Sequence, residues 1–424
     1  MRRLVAAVAV VSSLGAGLGL TRQGGISSVD RDFYKRMLAD ARKDIEKNYY
    51  DAGFRGLDLE STFQDASTKL LAAGSSAEAI DVITATVLLL DDSHTRFYPP
   101  PRATRVDYGW SMAAVGEDAL VIQVNPASDA ASRGLAAGDR VLALNRFRPT
   151  RANLWQIQHY YRVVRPQALQ RIQVRKPDGS ERTLDVKSKV EQRRVVQILD
   201  AILEAFDEAQ AEADTSATVE PGVLVWRMRS FGDSDDLGPF VARARKAGAL
   251  VLDLRGNAGG DLECLKTITG LLFEREVPLM TMVGRKGETR EVAKPKRNPF
   301  LGKLVVLIDS RSASASELLA RTVQLQKRGS VVGDRSAGAV MASQFFSHSF
   351  GVGNVAYYAT SVTIADVLMP DGGRLERTGV KPDETVLPST ADLAAGRDPA
   401  LARAVALAGG SITPEQAGQL TFHK

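Results

Sequence analysis

The stretch LVVLIDSRSASASELLA, residues 304–320, carries the main fold signal in the chain. It opens with five branched apolar residues, which is typical of a strand covered on both faces, and the acidic residue before the two leucines indicates a helix start. Three serines, Ser312, Ser314 and Ser316, alternate with alanines between these elements. Because a helix N-terminus presents free N–H groups, a serine at this turn is a candidate nucleophile. The alternative is that the serines only cap the helix.

A second strand-to-helix turn lies in LVLDLRGNAGGDLECL, residues 250–265. It is not a phosphate loop, because no Gly-Lys-Ser/Thr follows and the G-x-G-x-x-G pattern is missing. Gly259 and Gly260 instead allow backbone N–H groups to approach a ligand closely. Together with the N–H of Ala315, they are predicted to form an oxyanion hole. The alternative is a glycine turn without a chemical role.

Patterning along the chain predicts a multidomain α/β protein. Residues 27–104 have the four-residue apolar spacing of a helical domain, and residues 105–190 contain short β-like runs separated by turns. Residues 191–408 open with a charged helix at 191–213 and then alternate apolar strands with helices, which predicts an α/β core. The last residues, 409–424, are expected to form a flexible tail.

The N-terminal residues 1–24 have the layout of a secretory signal peptide. Arg2 and Arg3 precede an uncharged, largely apolar run from Leu4 to Leu20, which is short for a membrane span. We therefore expect an exported, periplasmic or extracytoplasmic protein. An uncleaved anchor, with membrane association, and an apolar N-terminus on a cytosolic protein are the alternatives.

Composition argues against several classes of function. The 424 residues carry a net charge of only +5 without long basic runs, so nucleic acid is not an expected partner. Cys264 is the only cysteine, which excludes an intrachain disulfide and cysteine-based zinc sites. The four histidines do not have metal-ligand spacing, so we expect no metal and no cofactor.

Three segments together resemble the tail-specific, or C-terminal processing, serine peptidases and their tricorn-core relatives. They are LDLRGNAGG, DSRSASASELLA and VVGDRSAG, and NPASDAASRGLAAGDRVLALN resembles the PDZ domain of the processing peptidases. The likeness covers about residues 30–405 in the same domain order. It implies a crotonase/ClpP-like α/β core and an endopeptidase that cleaves unfolded or C-terminally exposed polypeptides through an acyl-enzyme. The nucleophile that it implies is Ser314.

The chain departs from the processing peptidases at the base. Those enzymes pair their serine with a lysine in a glycine-flanked turn, where this chain has Ala339. No lysine occurs between Lys327 and Lys381, so a serine–lysine dyad of that type is excluded. Without another base, Ser314 would remain a weak alcohol.

The tricorn-like branch of the resemblance supplies a different base. Ser93-His94 in DDSHTRF matches its serine–histidine pair, and Glu376 before GVKPD matches its glutamate. An imidazole titrates near neutral pH and can accept the serine proton, while a hydroxyl and a carboxylate behind it fix its tautomer. His348, on a strand-like stretch, is the rival base.

The PDZ-like segment has its expected carboxylate loop at Tyr108, Gly109, Trp110 and Ser111. Such domains capture extended C-terminal segments by adding a strand to a sheet edge. Trp110 stands where the family has a small hydrophobic residue. The expected partners are therefore polypeptides, bound through their C-terminal ends.

Two other functions stay open at this stage. The missing lysine motivates a catalytically inactive family member that binds peptides or apolar ligands. A crotonase-like acyl-CoA enzyme has only strand-turn geometry in its favour, and fold analogy is weak evidence of function. The PDZ-like segment and the signal-like N-terminus argue against this last class.

Overall fold

A computed structural model describes residues 26–102, 104–192, 213–232, 237–351 and 355–423. The signal-like segment 1–24 and nearly all of the predicted helix 191–213 lie outside these ranges. Within them, every helix is too short or too polar to cross a membrane.

The helices of the described residues begin at capping side chains in most cases. They are α1 (Ser28–Asn48), α2 (Leu59–Ala72), α3 (Ser76–Val87), α4 (Asp129–Ser132), α5 (Leu154–His159), α6 (Leu237–Ala247), α7 (Leu262–Leu272), α8 (Ala315–Leu325), α9 (Thr390–Ala394), α10 (Pro399–Ala408) and α11 (Pro414–Gly418). Short 3₁₀ turns occupy Phe54–Gly56 and Leu88–Leu90, and one π turn occupies Tyr160–Val164. At α7, Asp261 accepts hydrogen bonds from two backbone N–H groups of the first turn, which stabilises the helix directly after the glycine pair.

The strands form one six-stranded, mainly parallel sheet, two five-stranded antiparallel sheets and one strand pair. In chain order they are β1 (Arg96–Tyr98), β2 (Thr104–Asp107), β3 (Trp110–Val115), β4 (Asp118–Val124), β5 (Arg140–Leu144), β6 (Leu169–Arg175), β7 (Glu181–Lys187), β8 (Lys189–Gln192), β9 (Thr215–Val219), β10 (Val223–Arg227), β11 (Ala249–Asp253), β12 (Val277–Gly284), β13 (Gly287–Ala293), β14 (Lys303–Ile308), β15 (Ser330–Gly333), β16 (Met341–Phe350), β17 (Ala356–Leu368) and β18 (Glu384–Thr385).

The central sheet has the order β18-β15-β14-β11-β10-β9, and all neighbours are parallel except β9. Val251 of β11 pairs with Val225 on one side and Val305 on the other, so the fully apolar strands lie in the middle. Helices α6, α7 and α8 cover one face, and α10 and α11 cover the other. This layering confirms the predicted α/β class and places the β11 and β14 turns side by side.

The predicted helical domain is not packed by itself. Helices α1, α2 and α3 share one core with the second sheet, in which β17 pairs with β1, β12 and β16 and β12 also pairs with β13. Met37 of α1, Phe97 of β1 and Tyr358 of β17 are all buried in this core. The turn after α3, which carries His94, is therefore held against β17.

Residues of the predicted β-rich segment form a five-stranded antiparallel sheet in the order β3-β4-β5-β6-β7. Helices α4 and α5 close its apolar core, and β2 pairs with β8 beside it. Strand β3 is an edge strand of this sheet, which leaves one of its sides open to α5.

The prediction of a flexible tail over 409–424 is wrong. Thr413 caps α11, and Ala417 is buried in the core beneath it. His423 exchanges two backbone hydrogen bonds with Ser216 of β9, at 2.7 and 2.8 Å. These contacts with a distant strand order a segment that looks polar in sequence.

Candidate active site

Ser314 occupies the N-cap of α8 with φ 55° and ψ −117°, a conformation that non-glycine residues rarely adopt. Its N–H donates to the carbonyl of Ala339 (3.0 Å) and to the carboxylate of Glu317 (3.1 Å). The side chain is partly exposed at the turn. Backbone strain of this kind is characteristic of functional turns.

The two neighbouring serines have structural contacts instead. Ser312 is buried and donates through Oγ to the carbonyl of Leu254 (2.7 Å), and buried Ser316 donates to the carbonyl of Asn257 (2.9 Å). Both bonds tie the serine turn to the glycine turn. Ser312 and Ser316 therefore have structural roles, and Ser314 rather than Ser316 is the N-cap of α8.

The glycine turn lies directly against Ser314. Gly259 has φ +97°, and a Cβ added there would lie 2.7 Å from the Cβ of Ser314, so the approach requires glycine. Its N–H donates to the side-chain oxygen of Asn257 (2.8 Å) within the same loop and is therefore not available to a ligand. The N–H groups of Gly260 and Ala315 have no acceptor among the described residues. Of the three predicted oxyanion donors, these two are the available ones.

His94, Ser93 and Glu376 form one hydrogen-bonded chain. Ser93 Oγ lies 2.7 Å from Glu376 Oε2 and 2.6 Å from His94 Nδ1, and the Ser93 N–H donates to Glu376 Oε1 (2.9 Å). A carboxylate can only accept, so the single hydroxyl proton of Ser93 points to Glu376. His94 must then donate through Nδ1–H, which leaves the lone pair on Nε2 free to accept a proton.

The backbone of two consecutive residues joins this chain to the nucleophile turn. Ala339 accepts the N–H of Ser314, and the next residue, Val340, donates its N–H to Glu376 Oε2 (2.9 Å). Among the described contacts, no hydrogen bond joins His94 to the Ser314 hydroxyl. Catalytic hydrogen bonds are often long without substrate, so this geometry is compatible with a serine–histidine pair.

The surroundings of His94 favour its neutral form. Burial lowers the pKa of His94 to about 4, and the positive charge of Arg96 acts in the same direction. Asp92 opposes this pKa shift, and its Oδ1 also accepts the N–H of His94 (2.8 Å), which positions the turn. An imidazole that is neutral at neutral pH is ready to act as a base. Asp92 belongs to the DDSHTRF motif, but nothing in the sequence predicted that its side chain would accept a hydrogen bond from the backbone of His94.

Glu317 is a further site residue that the sequence did not assign. Its buried carboxylate accepts hydrogen bonds from the N–H groups of Ser314, Gly338 (2.8 Å) and Ala339 (2.9 Å) and from the hydroxyl of Ser336 (2.6 Å). Burial raises the pKa of Glu317 to about 7 despite these donors. The only sequence signal was an acidic residue in the first turn of α8. Its role is to hold the Ala339 turn against the nucleophile.

The rival base lies elsewhere. His348 on β16 places Nε2 at 2.7 Å from Asp44 Oδ2 and stacks on Tyr358. These partners belong to the α1 side of the second sheet, with no contact to the Ser314 turn among the described residues. His159 of α5 is buried against Tyr98.

The predicted carboxylate loop lines a small groove of about 40 Å³ between β3 and α5. Tyr108 donates to the carbonyl of Tyr161 (2.8 Å), and Trp110 Nε1 donates to Gln170 (3.2 Å). The N–H of Gly109 is bonded to Asp107, and Ser111 also lines the groove. All four predicted residues therefore lie together at the open edge of the antiparallel sheet.

Comparison with known proteins places this geometry in a family context. Residues 222–386 match the model of peptidase family S41. The chain is 27% identical over 332 residues to a carboxyl-terminal-processing protease of Picosynechococcus sp., covering 73% of both chains. It is 24% identical over 369 residues to a chloroplastic C-terminal processing peptidase of Tetradesmus obliquus, covering 82% of this chain and 76% of the relative.

Solved structures share the fold at low identity. Mature CPAF superposes with a TM-score of 0.62 at 14% identity, over 85% of this chain and 94% of that one. The photosystem II D1 C-terminal processing protease superposes with a TM-score of 0.50 at 20% identity, over 84% and 93%.

Proposed function

Because residues 222–386 match the model of peptidase family S41 and the chain resembles C-terminal processing proteases over most of its length, we propose that it is a serine endopeptidase of the C-terminal processing type. Its substrates are unfolded or C-terminally exposed polypeptides. One observation carries the catalytic assignment: the His94–Ser93–Glu376 chain hydrogen-bonds to Val340, the residue next to the carbonyl that binds Ser314. This arrangement supplies a base where the lysine is missing.

The reaction follows from the roles of these groups. Ser314 Oγ attacks the scissile carbonyl while His94 Nε2 takes the hydroxyl proton, and Ser93 with Glu376 stabilises the imidazolium. The N–H groups of Gly260 and Ala315 bind the developing oxyanion. His94 then donates its proton to the leaving amine, and an acyl-enzyme remains on Ser314. Water, deprotonated by His94, hydrolyses this ester and restores the enzyme.

The antiparallel sheet over 105–190 acts in this proposal as a PDZ-like module that captures substrate C-termini. Its edge strand β3 and helix α5 border the groove that holds the predicted carboxylate loop. Gln158 of α5 donates to the carbonyl of Met112 on β3 (2.9 Å), which occupies an acceptor that an added peptide strand would need. Peptide capture then requires this side chain to move.

In this proposal the protein is exported. The signal-peptide layout of residues 1–24 supports export to the periplasm or another extracytoplasmic space. The S41 relatives include cyanobacterial and chloroplastic processing enzymes.

Hydrolysis of casein and of an apolar-tailed fluorogenic peptide tests the proposed function. The wild-type chain should cleave both, and Ser314→Ala should abolish cleavage. Ser316→Ala is the matched control, because it changes a buried serine of the same turn whose hydroxyl donates to the carbonyl of Asn257. Cleavage that persists in Ser314→Ala would contradict the nucleophile. A wild-type chain that binds the peptide without cleaving it would favour the binding-protein alternative.

A further inference from the structure

A second concave site lies at the carboxyl edge of the central parallel sheet. Its cavity, of about 340 Å³, opens between the ends of β10, β11, β14 and β15 and the β3–β4 hairpin. Ligands of open α/β sheets bind beyond the carboxyl ends of the strands, so this is a favourable position. No role in the catalytic assignment uses this cavity.

The cavity is lined by residues other than the proposed catalytic ones, although Asp309 and Arg311 belong to the same β14–α8 turn as Ser314. Ser314 begins α8, which covers one face of the sheet, whereas Ala400 of α10 lines the cavity from the opposite face. Arg255, in the wall, bonds to Asp398, the cap of α10 (3.0 and 2.8 Å). A molecule bound there would contact α10 and the β3–β4 hairpin instead of the nucleophile.

Arginines dominate the polar part of the wall. Arg227, Arg255 and Arg311 are among the four lining arginines, against three lining aspartates. Each aspartate is already engaged: Asp253 by Arg255 (2.8 Å), Asp309 by Arg311 (2.7 Å) and Asp334 by Arg151 (3.0 Å).

Guanidinium donors remain for a ligand. In the described contacts, Arg227 donates only through Nε, to Asp253 at 3.4 Å, and its guanidinium lies 3.5 Å above the ring of Phe422. Arg311 uses Nε and Nη2 on Asp309, which leaves Nη1. Planar guanidinium groups with free N–H donors are suited to bind a carboxylate.

The rest of the wall is apolar. Ala114 and Ile122 come from the hairpin, and Val386, Pro388 and Leu393 come from the segment around β18 and α9. We propose that this cavity is a second binding site, which takes a carboxylate carried on a small apolar body, as at the C-terminal end of a short peptide. Its arginines bind the carboxylate, and its apolar wall accepts the adjoining side chain.

Calorimetric titration of full-length Ser314→Ala tests this site, since that variant cannot consume a peptide. The probe is N-acetyl-Ala-Val-Val with a free carboxylate, and its C-terminal amide and free isobutyrate are the comparison ligands. The acid should bind at least about tenfold more tightly than the amide, because the amide cannot accept charge-assisted hydrogen bonds. Equal affinity of acid and amide would overturn the proposal. Isobutyrate binding as tightly as the peptide would assign the site to free organic acids, and weaker binding assigns it to peptide ends.

Two single substitutions and one control locate the interaction, each in the Ser314→Ala background. Arg227→Gln and Arg311→Gln should each weaken binding of the peptide acid by about tenfold. Arg403→Gln is the matched control, because its side chain is 44% exposed and pairs with one carboxylate, as the 45% exposed side chain of Arg311 does. Unchanged affinity in both cavity variants would overturn the proposal. If one variant misfolds, the other still tests the site.

Photo-crosslinking separates this cavity from the β3–α5 groove. A peptide acid with a diazirine in place of its last valine should label residues 386–400. Labelling confined to residues 108–112 or 154–164 would overturn the proposal, because the PDZ-like groove would then be the binding site. The proposed peptidase function is independent of this outcome, since it is measured by hydrolysis in the wild-type chain.

Discussion

His94 should remain an active base well below the pH at which an exposed histidine is protonated. An unperturbed imidazole has a pKa near 6.5, whereas burial beside Arg96 lowers the pKa of His94 to about 4. At pH 5.5, a base with a pKa of about 4 is about 97% neutral, and one with a pKa of about 6.5 is about 9% neutral. The wild-type enzyme should therefore keep most of its kcat/KM at pH 5.5, about tenfold more than an ordinary histidine would allow.

The perturbation that tests this cause is Arg96→Gln. It removes the positive charge that helps to lower the pKa of His94, so the acid limb of the pH profile should move to higher pH. It also removes the bond from Arg96 Nη2 to the carbonyl of Ser93 (2.6 Å). Arg96→Lys is the control, because it keeps the charge while changing the bond. Burial also raises the pKa of Glu376. The acid limb of the pH profile therefore reports the joint titration of His94 and Glu376.

Protein stability changes over the same pH range and needs a separate measurement. The folded state binds the His94 proton less readily than the unfolded state, so this group's contribution to stability is lost as the pH falls from about 6.5 to about 4. The partly exposed ring limits the loss to at most about 3 kcal/mol. The assay is kcat/KM for a fluorogenic peptide from pH 4.5 to 8, with circular dichroism at each pH. An acid limb near 6.5 in folded wild-type enzyme would refute the reasoning.

Three further changes probe other parts of the site. Burial raises the pKa of Glu317 to about 7, so the unfolding free energy should fall by about 3 kcal/mol as the pH rises from 5 to 8 and this carboxyl group ionises. Urea titrations measure this fall, which should be missing in Glu317→Gln. Gly259→Ala should lower kcat about hundredfold in steady-state kinetics, because the new Cβ would displace Ser314. Ser93→Ala should lower kcat about hundredfold with little change in KM, because His94 Nδ1 loses its acceptor, and an unchanged kcat would contradict the hydrogen-bonded chain.

The part of the fold that local patterns encode was predictable from sequence. Apolar runs followed by glycine or serine turns predicted the parallel strands and brought the β11 and β14 turns to one edge of the sheet. Within SASAS, the structure buries Ser312 and Ser316 and leaves Ser314, the serine that the resemblance implies as nucleophile, partly exposed. Such signals depend on neighbours within a few residues.

Long-range contacts were not predictable in the same way. Glu317 holds the Ala339 turn through backbone N–H groups, which have no residue signature. Helix α1 packs on Tyr358, which lies on a strand far along the chain. Local patterns do not show this contact, so in sequence the helical segment looked like a separate domain. The tail appeared flexible because the pairing of His423 with Ser216 depends on tertiary structure alone.

The most direct test of the central claim is the position of covalent labelling by a fluorophosphonate probe. Peptide mapping by mass spectrometry should find the adduct on Ser314 in wild-type enzyme, with labelling lost in Ser314→Ala and strongly reduced in His94→Ala. Labelling of Ser316→Ala should match the wild type. An adduct on another residue, or labelling that persists in Ser314→Ala, would contradict the assignment of Ser314 as the nucleophile.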